Sequence, residues 1–134
     1  MINLAGGAEE PDALRPEEIR SLVSIGFHGL LNGKHEAALR LFEGLGVLRP
    51  HAPFPRIGSA LSLIAAGRAE EAIRVLERTH ELLPQNDEVR VFLGMTLRIA
   101  SREHQARAVL ATLVGRDAQE PAARLARRLC NWRS

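Results

Sequence analysis

The side chains able to do chemistry are few and scattered. Five histidines, His28, His35, His51, His80 and His104, show no paired metal-ligand spacing, and none has a cysteine or an acidic cluster beside it. They read as ordinary helix residues. Cys130 sits in the basic run "RLARRLCNW", where neighbouring arginines would lower a thiol pKa, but no His/Asn context accompanies it to make a nucleophile. "GLGVLR" from Gly44 lacks the third glycine of a dinucleotide fingerprint, and no strand precedes it. The sequence therefore offers no catalytic residue, no metal site and no cofactor, and the chemistry to look for is recognition.

Composition narrows the partner. Apolar residues make up 46% of the 134, aromatic residues only 4%, and tyrosine is absent. A chain rich in Leu and Ala suits one domain of close-packed helices and fits a β-sandwich poorly. The formal charge is +2, and every basic residue except Lys34 is arginine. Acids (Glu9, Glu10, Asp12, Glu17, Glu18) gather in the first twenty residues and arginines in the last sixteen, without the dense basic stripe of a nucleic-acid binder. One cysteine permits no internal disulfide and fits a reducing compartment. "MINLAGGAEEPDALRPEE" has no secretory pattern, and no apolar run approaches the about 20 residues of a membrane span. A cytoplasmic protein is expected.

The elements that must carry recognition are set by a period. "GKHEAALRLFEGLGVLRPHAP" from Gly33 returns as "GRAEEAIRVLERTHELLPQND" from Gly67, matching Ala38 with Ala72, Phe42 with Leu76 and Pro50 with Pro84, each 34 residues apart. Residues 1–15, with Gly6, Gly7 and Pro11, form a lead-in. Pro16 opens a helix, Glu17 and Glu18 suit its positive end, and Asn32 and Gly33 close it. A partner helix runs from about His35 to Val47. The unit repeats from Pro53 and Pro55 to Ala66 and from Ala69 to Leu83, then from Asp87 to Ala100 and Glu103 to Val114, with Asn86 as N-cap and Ser101 in place of the turn glycine. Gly115 is the expected C-cap, and Pro121 opens a last helix to about Trp132.

Turn glycine, alanine five residues on, a large apolar residue four beyond and proline after eight more: this pattern resembles the tetratricopeptide (TPR) helix-turn-helix repeat. Gly26, Ala60 and Gly94 supply the small position on each first helix, facing Ala38, Ala72 and Ala106. The pattern departs at the early tryptophan (Leu22, Arg56, Arg90), the mid-helix tyrosine (Gly29, Leu63, Leu97) and the third proline (Ala118). The resemblance implies an all-α fold of three hairpins in a right-handed α-solenoid. Its repeats span about 19–52, 53–86 and 87–118 within residues 16–118. Residues 119–134 form a C-terminal capping helix with Arg124, Arg127 and Arg128 outward.

By that resemblance the first helix of each unit lines a concave groove. The fifth positions are Val23, Ile57 and Val91, and the ninth are Phe27, Leu61 and Met95. The twelfth and thirteenth add Leu30, Leu31, Ile64, Ala65, Arg98 and Ile99, and the second positions are Arg20, Phe54 and Glu88. TPR domains that clamp an acidic C-terminus carry Lys, Arg and Asn where this chain has Val23, Phe27, Leu61, Val91 and Met95. An apolar, extended or helical segment of another protein is the expected occupant. That much apolar surface requires cover by a partner, a second copy in a homodimer, or the chain's own ends.

Size, three-unit organisation and apolar groove are similar to the small TPR chaperones of bacterial type III secretion. The resemblance implies a cytosolic, non-enzymatic chaperone holding an export substrate or apparatus component. Val23, Phe27, Leu30, Ile57, Leu61, Ile64, Val91, Met95 and Ile99 would hold the client, and Arg98 would fix polar backbone or an acid. A generic scaffold or adaptor for complex assembly is the alternative; nucleic-acid binding through the terminal arginines is the remote one.

Overall fold

The computed structural model describes residues 14–114 together with Arg124, Arg127 and Arg128. Six helices follow one another: α1 (Pro16–Leu31), α2 (His35–Leu48), α3 (Phe54–Ala65), α4 (Ala69–Leu82), α5 (Asp87–Ile99) and α6 (Glu103–Val114). No strand occurs among the described residues. Each helix packs against its neighbours in sequence, and α1 also meets α3, as α3 meets α5. The result is three antiparallel hairpins stacked in register, an all-α solenoid. Gly115 and most of the expected capping helix lie outside the described residues. Within it, Arg124, Arg127 and Arg128 are helical, Arg124 and Arg128 exposed and Arg127 half-buried.

Local chemistry explains the ends. At the start of α1 the Glu18 carboxylate accepts from the Arg15 backbone N–H at 2.8 Å. Asn86 caps α5, its Oδ1 accepting from the Val89 N–H at 2.9 Å. Ala66, Leu83 and Ala100, expected as last helical residues, are instead C-caps, and α2 runs one residue past Val47. The three turns inside the hairpins close alike. The Lys34, Arg68 and Arg102 N–H groups donate to the Gly29, Leu63 and Leu97 carbonyls at 2.7, 2.8 and 2.8 Å, each spanning the residue that ends the helix. That residue has φ of 77° in Gly33 and Gly67 and 64° in Ser101. Only Ser101 bears a side chain there, in a backbone region that L-residues disfavour.

Packing follows the small and large positions. Ala38, Ala72 and Ala106 are buried, so the helices of each hairpin approach closely. Phe42, with no exposed surface, fills the joint between the first two units. Its ring lies where a Cβ on either Gly26 or Gly58 would overlap it, and Leu110 stands in the same relation to Gly94. Burying a ring of that size contributes about 1.5–3 kcal/mol, and a side chain in place of either glycine would displace it.

Two polar devices repeat at the joints. Arg56 donates from Nη1 to the Pro50 carbonyl and Arg90 from Nη2 to the Pro84 carbonyl, both at 2.7 Å. Each ties a first helix to the linker that precedes it. Arg68 reaches Glu36 at 3.4 Å and Arg102 reaches Glu70 at 2.8 Å, linking the second helices of successive units. Arg68 also forks onto Glu71 at 2.7 and 2.8 Å. The hydrogen bond from Arg68 holds the Glu71 carboxyl below its ordinary value, against a smaller opposing effect of desolvation.

Candidate functional site

The first helices α1, α3 and α5 pack against one another in turn, α1 on α3 and α3 on α5, and all the expected groove residues lie on these three helices. On α1, Val23 and Leu30 are half-buried against the cluster around Phe42. Phe27 keeps 36% of its surface while its ring leans on Phe42, centroids 5.1 Å apart and planes tilted 57°. On α3, Leu61 and Ile64 are half-buried over the central cluster. Met95 on α5 is half-buried, and Ile99 is 43% exposed. All seven are apolar and keep accessible surface, shared among the three first helices. Leu31 and Ala65 extend the set, both exposed. At the second positions Arg20 and Glu88 are exposed and Phe54 is half-buried.

Three of the expected groove residues are interior. Ile57 belongs to the central cluster at 8% exposure, and Val91 packs with Leu110 and Leu113 at 3%. Neither offers surface to a client. Arg98 is also 3% exposed, its Nη2 lying 3.0 Å from Glu103 Oε2 across the α5–α6 turn. A guanidinium so placed is committed to its pairing, because a buried charge without one costs several kcal/mol (roughly 3–5 when one partner of a buried pair is removed). Arg98 therefore holds α5 to the start of α6 instead of meeting a ligand. The expected groove residues that keep surface, Val23, Phe27, Leu30, Leu61, Ile64, Met95 and Ile99, are all uncharged.

Sequence reasoning passed over the polar joints. Arg56 and Arg90 read only as departures from the repeat pattern, yet each follows a proline by six residues and bonds its carbonyl. The pairing of Arg68 with Glu36 and Arg102 with Glu70 has a signal too: a base directly after each turn residue, at Lys34, Arg68 and Arg102, and an acid two residues after the first two of them, at Glu36 and Glu70. Among the described residues no three His, Cys, Asp or Glu side chains gather as a metal cage. His28, His51 and His104 are exposed, and His35 and His80 half-buried. No described helix is long and apolar enough to cross a membrane. Cys130 lies outside the described residues.

No curated protein matches the chain in sequence. Among solved structures, the type III secretion translocator chaperone SycD of Yersinia enterocolitica is similar in fold: TM-score 0.65, with 87% of this chain and 83% of that one covered, at 19% identity. The tetratricopeptide repeat model matches residues 63–130, just over half of the chain and reaching from α3 past α6. The three hairpins, closed by the same turn each time, agree with that match, and the chain belongs to the tetratricopeptide repeat family.

Proposed function

We propose that this chain is a cytosolic, non-enzymatic chaperone of the bacterial type III secretion kind. In this reading it holds an apolar segment of an export substrate or apparatus component along the face of its first helices. The observation that carries the reading is the accessible, uncharged set Val23, Phe27, Leu30, Leu61, Ile64, Met95 and Ile99, spread over the first helix of each of the three units. Covering such side chains is worth about 1.5–3 kcal/mol each, enough for a few anchors to retain a client. The fold shared with a translocator chaperone supports the same reading. Met95 and Phe27 supply adaptable contact for clients of varied sequence.

The test is capture. Tagged protein purified from its native host should bring a client with it, and the identified client should bind the purified chain. Phe27→Glu and Leu61→Glu should each abolish capture, with the helical circular-dichroism signal retained. Undiminished capture by both variants refutes the groove. A scaffold reading, with these residues covered by the chain's own ends, instead requires protein that is soluble and monomeric alone and indifferent to both substitutions.

A further inference from the structure

The three turns inside the hairpins are built alike, but the first alone among them puts an asparagine before the left-handed residue. It reads Asn32-Gly33, against Ala66-Gly67 and Ala100-Ser101. That pair can react with itself, because a backbone nitrogen following asparagine can attack the side-chain amide carbon. Glycine leaves the attacking nitrogen unshielded. A Cβ at Gly33 would meet nothing within 4 Å, and both residues are exposed. The Gly33 N–H is also the least firmly held of the three. It donates to the Leu30 carbonyl at 3.2 Å, where the Gly67 and Ser101 N–H groups donate to Ile64 and Arg98 at 2.9 Å. The Asn32 side chain is tethered through Nδ2, which donates to the His28 carbonyl at 2.8 Å. Both tethers lie at an exposed helix end, where local opening costs least.

We propose that Asn32 is a site of spontaneous deamidation, carried out by the chain itself with water. When the turn opens, the Gly33 backbone nitrogen loses its proton to hydroxide and bonds to Asn32 Cγ. The bond from Cγ to Nδ2 then breaks, and that nitrogen leaves as ammonia, taking a proton from water and restoring the hydroxide. A water molecule opens the resulting five-membered ring at either of its carbonyl carbons. Opening at Cγ gives aspartate; opening at the backbone carbonyl gives isoaspartate, whose main chain is one methylene longer. Either product loses the Nδ2 donor to His28 and sets a carboxylate against the carbonyl end of α1. Isoaspartate also displaces the Lys34 N–H, which closes the turn on the Gly29 carbonyl at 2.7 Å. The first turn is thus loosened with age. Asn86 supplies an internal contrast: it is half-buried, Asp87 follows it, and its Oδ1 accepts from the Val89 N–H at 2.9 Å.

The folded full chain, aged in heavy-oxygen water at neutral and at mildly alkaline pH, provides the test. Peptide mapping by mass spectrometry, with fragmentation that separates aspartate from isoaspartate, follows the amides. The Asn32 amide should be lost while that of Asn86 persists, faster at the higher pH, with heavy oxygen incorporated and both products present. An acidic species should accumulate on ion exchange and be absent from Asn32→Ser. Asn32→Asp, the product without the extra methylene, should unfold at a lower urea concentration than the parent. An Asn32 amide as long-lived as that of Asn86 overturns the proposal. So does conversion confined to chain unfolded in urea, or aspartate without isoaspartate, which would mean direct hydrolysis in place of the ring. An Asn32→Asp midpoint at or above the parent's overturns the loosening of the turn.

Discussion

The first unit and the two that follow carry one pattern in one register, yet equivalent residues meet different fates. Ile25 is 60% exposed, whereas Ser59 and Leu93, at the same position one and two units on, are 7% and 3% exposed. Val23 stays half-buried while Ile57 and Val91 are closed off. The cause lies outside the residues themselves. α3 and α5 each have a preceding second helix to pack on, and α1 has none among the described residues. In a stack whose units touch only their neighbours, burial is a property of position in the stack as much as of side chain.

The sharpest way to break that comparison is to remove bulk on either side of it. Phe42→Ala empties the joint between Gly26 and Gly58 and should cost about 3–5 kcal/mol in urea unfolding, against no more than about 0.5 kcal/mol for Ile25→Ala. Equal costs would mean that the α1 edge is already covered. A smaller effect separates the third turn from the other two. Ser101→Gly should raise stability by roughly 0.5–1 kcal/mol, the relief of a strained φ less the extra freedom glycine has when unfolded. Gly67→Ser should lose a similar amount, and a destabilised Ser101→Gly would show that the serine side chain matters to the turn.

Smallest of all are the exposed ion pairs. A double-mutant cycle on Arg102 and Glu70 should give about 0.2–1 kcal/mol, fading with added salt. Glu71 adds a pH signature. Because its folded carboxyl is held below the ordinary value, its contribution is present above the unfolded pKa and is lost as pH falls through the folded one. Arg68→Gln should flatten that acid limb of the stability profile, and an unchanged limb would show that the fork is not formed in solution.

The hairpins were legible because their signals are local. Pro16, Asn86, Gly33 and Gly67 mark ends through backbone chemistry that a few neighbouring residues decide. The alanines and Phe42 were legible because the period repeats them. What the period does not encode is which groove positions remain accessible. Val91 is closed by Leu110 and Leu113, which stand about twenty residues further on, and its own identity as a fifth-position valine matches that of Val23. Arg98 looked like a groove charge because its position faces inward in the repeat; its ion pair with Glu103 depends on how the third turn folds back. The arginine joints were hidden for another reason, since a pattern defined by apolar residues gives no weight to a polar contact that replaces one of them.

Both ends of the stretch from Pro53 to Asn86 use the same connectors: an arginine on a proline carbonyl and an arginine–glutamate link. A second copy of that stretch spliced in tandem would find each connector already in place. Splicing it would add one more copy of α3 and α4, with Leu61 and Ile64, to the stack without a new joint having to be invented. The architecture is thus extensible by duplication.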